Sequence, residues 1–153
     1  MIATVSFEGT QYASLPLKFE AGTPNFIGQT ALGAAITYIS SLDQMAVTTH
    51  MYQMAKQGMA MLHEIEGLKM YGVGEEDKIP LFSFSVLGAH ATDMATLLDK
   101  MGYAVRSGQM CAEPLLARFG QTSILRASFA IYNTEEELVD FVKALKRVIL
   151  MLR

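Results

Sequence analysis

A single cysteine, Cys111, sits in the run Arg106-Ser107-Gly108-Gln109-Met110-Cys111-Ala112-Glu113-Pro114. A lone cysteine in a globular protein is commonly a small buried hydrophobe. This one has a glycine-containing loop around it, a helix start at Pro114 and Arg106 close by. Helix N-termini and neighbouring cations both favour thiolate over thiol, so a reactive nucleophile and an inert core residue are both open readings. Arg126 is the second candidate. It alternates with Leu125 and Ala127, which takes it off the apolar face of its strand. There it is either an ordinary solvated or ion-paired arginine or a fork for a carboxylate, whose two oxygens match guanidinium geometry. The third candidate is Gly22-Thr23-Pro24-Asn25. A hydroxyl and free N–H groups at a helix start suit a phosphate, although most capped helix starts are structural. His50, His63 and His90 are scattered at spacings unlike those of metal ligands, so no metal site is expected. No phosphate-loop or dinucleotide fingerprint is present.

The elements that must position these residues follow from periodicity. Met1–Phe7 alternates and carries β-branched residues, which predicts a strand; Glu8-Gly9-Thr10 reads as a turn and Gln11–Asn25 as mostly loop. The chain starts as though cut just before a structural element. Asn25 is placed to cap a helix over 26–41. A longer helix is expected over 44–66, with Met51, Met54, Ala55, Gly58, Leu62 and Ile65 on one face. A short strand over 68–71 precedes the turn-like Gly72-Val73-Gly74. Residues 81–87 alternate, Phe82, Phe84 and Val86 pointing one way and Ser83 and Ser85 the other. An amphipathic helix over 91–101 ends at Gly102, and strands are expected over 103–107 and 124–131. His90 reads as a helix-start or packing residue. Thr134 and Glu137 have capping-box spacing, and Leu138, Phe141, Val142, Leu145, Val148, Ile149 and Leu152 form the apolar stripe of a last helix. The fold class is α+β: a small, mainly antiparallel sheet with helices packed on one face.

Composition narrows the function classes. Hydrophobic residues make up 51% and charged residues 18%, which demands a packed core and argues against disorder. Eleven methionines read as adaptable core filler. A formal net charge of −3, with only Lys143, Lys146 and Arg147 clustered, leaves no basic patch for nucleic acid or an anionic membrane. No apolar run reaches the roughly 18 residues a bilayer span needs. Met1–Phe7 lacks the basic region of a signal peptide, and one cysteine makes no intrachain disulfide, so a cytoplasmic location is expected.

Three segments together, Phe19-Glu20-Ala21-Gly22-Thr23-Pro24-Asn25, Arg106-Ser107-Gly108 through Cys111-Ala112 to Pro114-Leu115, and Arg126-Ala127-Ser128 through Tyr132-Asn133-Thr134-Glu135-Glu136, occur in one order along the chain. They resemble the C-terminal part of the Suf-type cysteine desulfurases and their selenocysteine lyase relatives, in the class V aminotransferase group of pyridoxal-phosphate enzymes. The resemblance implies the C-terminal domain of a fold type I pyridoxal-phosphate transferase, with residues 1–25 remaining from the cofactor-binding large domain and 26–153 forming the small domain. It implies an enzyme that takes sulfur from L-cysteine, leaves L-alanine and holds a persulfide for a sulfur-acceptor protein in iron–sulfur cluster assembly. Cys111 stands at the family's persulfide-forming cysteine, Arg126 at its carboxylate-binding arginine and Arg106 at a second active-site arginine. Gly22 and Thr23 match residues that reach across a homodimer to the cofactor phosphate of the other subunit. In the family a lysine that follows a histidine holds the cofactor. No His-Lys pair exists here, and Lys18, Lys56, Lys69, Lys78, Lys100, Lys143 and Lys146 lie outside the matched motifs. The chain alone is therefore expected to be inactive and to hold no pyridoxal phosphate stably. A selenocysteine lyase or other class V aminotransferase domain, and a free-standing sulfur-carrier or thiol module without cofactor, are the alternatives.

Overall fold

Short apolar stretches with period two and longer ones with helical period resolve into six strands and five α-helices in the computed structural model, which describes residues 1–72 and 78–153. Val73 and Gly74, the second half of the turn expected after the 68–71 strand, lie outside the described residues. The chain divides into two compact units, Met1–Asp43 and Gln44–Arg153.

In the first unit β1 (Ile2–Ser6) and β2 (Gly9–Tyr12) form an antiparallel hairpin, with Val5 opposite Thr10 and Ser6 opposite Gly9. The expected turn at residues 8–10 and loop from Gln11 give way to this pairing. The turn itself falls at Phe7-Glu8, so Gly9 to Tyr12 are free to join the ladder. A single 3-10 turn, Leu17–Phe19, leads towards α1 (Phe26–Ser41). Asn25 caps α1 as expected, its side-chain oxygen accepting from the Gly28 N–H at 3.0 Å.

The second unit is a four-stranded antiparallel sheet in the order β3-β4-β6-β5, formed by β3 (Leu68–Tyr71), β4 (Leu81–Val86), β6 (Ile124–Ser128) and β5 (Arg106–Gly108). Period-two alternation gives each strand an apolar and a polar face. Phe82, Phe84, Val86, Leu125 and Ala127 pack into the core with residues of α2 (Gln44–His63), α3 (Ala91–Lys100) and α5 (Glu135–Leu152). On the opposite face lies the short helix α4 (Glu113–Arg118), whose following residue Phe119 stacks on Tyr71 of β3 at 5.2 Å between ring centres.

Two strand boundaries differ from the periodicity. A strand is expected over 103–107, yet pairing begins only at Arg106. Tyr103 and Val105 instead pack against the core, Tyr103 edge-on to Phe141 with ring centres 6.0 Å apart. Strand β6 ends at Ser128, because Phe129 next meets Pro80, which accepts its N–H but has none to return, and the Ala130 N–H donates to the Asn133 side chain, which turns the backbone out of the ladder.

The last helix has the capping box its sequence announced: the Glu137 N–H donates to the Thr134 hydroxyl oxygen at 3.2 Å and the Thr134 N–H to the Glu137 carboxylate at 2.9 Å. That backbone donation, joined by the Asn133 amide, holds the Glu137 carboxyl below the ordinary carboxylate value.

Helix α2 meets the sheet at Gly58, where an added Cβ would lie 2.3 Å from Cζ of Phe82, a ring almost wholly buried. The better helix propensity of alanine recovers about 1 kcal/mol, less than the overpacking costs. Gly58→Ala is expected to destabilise the second unit by about 1–2 kcal/mol net. Urea denaturation midpoints would show it; an unchanged midpoint would mean that α2 slides freely over the sheet.

Candidate active site

Residues directly opposite in an antiparallel ladder point to the same side of the sheet. On the face away from the core, Tyr71 lies opposite Ser83, Ser83 opposite Arg126, and Arg126 opposite Arg106, so one row crosses all four strands. The row ends in two guanidiniums side by side. Like charges directly opposite each other destabilise a sheet unless something negative lies between them or solvent screens them. Arg126 is partly buried, and its Nε is enclosed with no hydrogen-bond partner among the described residues. An orphaned, buried guanidinium N–H is a costly feature in a fold.

Arg106 has a partner of another kind. Its Nη2 lies 3.1 Å from Cys111 Sγ, which is exposed. The sulfur reaches that point through a tight turn, Gln109-Met110-Cys111-Ala112, closed by the Ala112 N–H donating to the Gln109 carbonyl at 3.0 Å. Met110 and Cys111 both have positive φ, 58° and 55°. This is the backbone sense of a type I′ turn, which ordinarily takes Asn-Gly or Asp-Gly. Two side chains with a Cβ in that region cost on the order of 1 kcal/mol or more each. The Gln109 amide also donates to the Glu113 carboxylate at 2.9 Å, spanning the turn from outside.

Beside this turn a cleft of roughly 280 Å³ opens on the sheet, lined among others by Tyr71, Ser83, Met110, Leu115, Phe119 and Arg126. Its walls are largely apolar side chains, with Arg126 as the cation among them. The Tyr71 hydroxyl pairs with Ser85 Oγ at 2.8 Å, which fixes the ring that Phe119 stacks on. A site with an exposed thiol, two guanidiniums and an apolar wall can hold a small organic acid by its carboxylate and present it to sulfur.

Thus Cys111, Arg106 and Arg126, taken separately from the sequence, come together on one sheet face. Gly22 and Thr23 belong to the first unit, where both are exposed and Gly22 has φ 75°. The sequence reading did not single out Gln109, Met110 or Glu113; the only trace of their role is the four-residue spacing of Gln109 and Glu113 around the cysteine. His90 caps α3, its Nδ1 accepting from the Thr92 N–H at 3.3 Å. His50 donates to the Asn133 carbonyl at 2.9 Å. Among the described residues no cluster of His, Cys, Asp and Glu is arranged to hold a metal ion, and no helix is long and apolar enough to cross a membrane.

Residues 1–141 match the family model described as aminotransferase class-V. The chain belongs to that family. Among similar class-V proteins, a probable cysteine desulfurase of Xylella fastidiosa (strain Temecula1) is 44% identical over 148 residues, covering 97% of this chain and 35% of the relative. The crystal structure of the cysteine desulfurase CsdA (S-sulfonic acid) from Escherichia coli superposes with a TM-score of 0.89 at 37% identity, covering 100% of this chain and 38% of that one. The apo cysteine desulfurase of Thermococcus onnurineus NA1 superposes at 0.88 with 34% identity, covering 99% and 38%. The resemblance to class-V enzymes and the α+β fold class are thereby borne out. This chain spans a little over a third of the length of these desulfurases.

Proposed function

We propose that this class-V chain is the sulfur-accepting part of a pyridoxal-phosphate-dependent, Suf-type cysteine desulfurase that converts L-cysteine to L-alanine. The observation that carries the reading is the cross-strand pair Arg106 and Arg126 beside Cys111, with one guanidinium N–H on the sulfur and another buried and unpartnered. Arg126, with Arg106 next to it, receives the substrate carboxylate in bidentate fashion and fixes the amino acid relative to the thiol. Cys111 Sγ bonds to the substrate sulfur as the bond from that sulfur to the β-carbon breaks. The electron pair stays with the β-carbon, which gains a proton, and Cys111 is left as a persulfide for a Suf sulfur-acceptor protein.

Pyridoxal phosphate, when bound, supplies the electron sink at the substrate α-carbon. The residues of this chain fit the carboxylate and the sulfur but not the attachment of the cofactor. Among the described residues no lysine lines the cleft. Lys69 lies over the Tyr71 ring at 5.6 Å from its centre, and the Lys78 amine approaches Met59 Sδ at 3.6 Å. The cofactor lysine accordingly belongs to the further length that the relatives possess. In that longer cytoplasmic protein, residues 1–25 go with the cofactor-binding half and 26–153 form the small domain. Gly22 and Thr23 meet the cofactor phosphate of the other subunit of a homodimer.

The purified chain, mixed with pyridoxal phosphate and L-cysteine, is expected to release no alanine and to develop no saturable cofactor absorption band. Catalytic alanine release would mean that one of its own lysines carries the cofactor, and the assignment of the lysine to another segment would fall.

A further inference from the structure

Gln109 and Glu113 flank the strained turn that carries Cys111, and neither has a place in the reaction proposed above. Their hydrogen bond closes a second ring around the turn, outside the one made by the Ala112 N–H and the Gln109 carbonyl. Both side chains are exposed, so their pairing contributes little to the core. What it restrains is local. A turn with two positive-φ residues that are not glycine persists only when surrounding contacts over-determine it. Here those contacts are the backbone bond, the Gln109–Glu113 bond and the Arg106–Sγ contact. Relaxing Met110 and Cys111 to negative φ would redirect the Cys111 Cα–Cβ vector and carry the sulfur off Arg106.

We propose that Gln109 and Glu113 are a positioning pair, whose hydrogen bond holds the Met110–Cys111 turn left-handed and keeps Sγ at the arginines. This rests on the reading of Arg106 and Arg126 as a carboxylate site beside a nucleophilic sulfur. Glu113 contributes as an acceptor for the Gln109 amide, not as a charge; a negative group near the arginines by itself opposes carboxylate binding. Glutamine at 113 keeps the acceptor and drops the charge, whereas alanine drops both.

The test uses the 153-residue chain, in which Cys111 is the single thiol. Its alkylation rates with iodoacetate and with iodoacetamide are measured at one pH. Both reagents consume the same thiolate, so their ratio cancels the thiolate fraction and reports whether the sulfur faces cations. Relative to glutathione, the native chain is expected to favour iodoacetate by about three- to tenfold at low salt, a preference that added salt weakens. Gln109→Ala and Glu113→Ala are each expected to remove most of that preference, and Glu113→Gln to retain it. Loss of a carboxylate would on charge grounds alone raise the preference, so a fall in Glu113→Ala has the sign only positioning gives. Circular dichroism melting of each variant checks that the fold is intact, and a variant that has unfolded is replaced by Gln109→Met, which keeps the length of the side chain, adds no charge and removes the amide donor. A native preference that all variants keep would overturn the positioning pair and leave the carboxylate site standing. A native chain with no preference would overturn the carboxylate site, and the pair with it.

Discussion

Cys111→Ala, placed in a desulfurase of the relatives' length that carries this segment, is expected to lower alanine release from L-cysteine by about a thousandfold or more. Loss of an attacking group that no neighbour can replace has effects of that size or greater. Cys111 is the single cysteine of the chain, and Arg106 Nη2 lies 3.1 Å from its sulfur. Arg106 itself cannot stand in for it, because a guanidinium is not deprotonated in proteins and offers no lone pair. Alanine at 111 removes the sulfur and its contact to Arg106 but leaves in place the backbone bond and the Gln109–Glu113 bond around the turn. Alanine production, quantified alongside sulfide in the presence of a reductant, measures the loss. Turnover within a few-fold of the unsubstituted enzyme would place the sulfur acceptor elsewhere.

Arg126→Ala is expected to reduce kcat/KM for L-cysteine about a hundredfold, with most of the change in KM. Removing a charge-assisted, partly buried contact to a carboxylate costs a few kcal/mol, of which Arg106 recovers part by closing on the same anion. The two arginines lie directly opposite on neighbouring strands and each covers part of the other's loss, so the double replacement should lower kcat/KM by more than the product of the two single effects. Arg126→Lys should recover little, since an ammonium cannot reproduce the two-pronged geometry. Steady-state kinetics over a wide range of L-cysteine concentration distinguishes these cases. An unchanged KM would remove Arg126 from the carboxylate.

The elements that could be read from the residues are those whose signals are local. The Thr134–Glu137 box, the Asn25 cap and the alternation of Phe82, Phe84 and Val86 each involve residues within a few positions, and the structure has all three. Strand β2 was missed because Gly9-Thr10 has turn composition, whereas its pairing depends on where Phe7-Glu8 reverses. Strand β5 lies later than the expected 103–107, because residue types do not report where β6 offers a hydrogen-bonding partner. Cys111, Arg106 and Arg126 were each visible as residues of the right type, and the resemblance supplied their roles. Their juxtaposition was not visible, since it is set by the register of two strands roughly twenty residues apart. The left-handed turn was least legible of all: nothing in Met110-Cys111 suggests positive φ, and only the finished loop imposes it.

The two arginines are mounted on supports of unequal stiffness. Arg126 belongs to an interior strand with a neighbour on each side, whereas Arg106 belongs to a three-residue strand at the rim, bonded along one margin only. Rim segments of that length open locally at far smaller free energies than the interior. An acid that bridges the pair therefore does more than fill a cleft, because it ties the rim to the interior and completes the sheet there. Amide protection in Arg106–Gly108 should then rise with ligand concentration while β4 and β6 stay as they were, and part of the binding free energy goes into ordering those three residues.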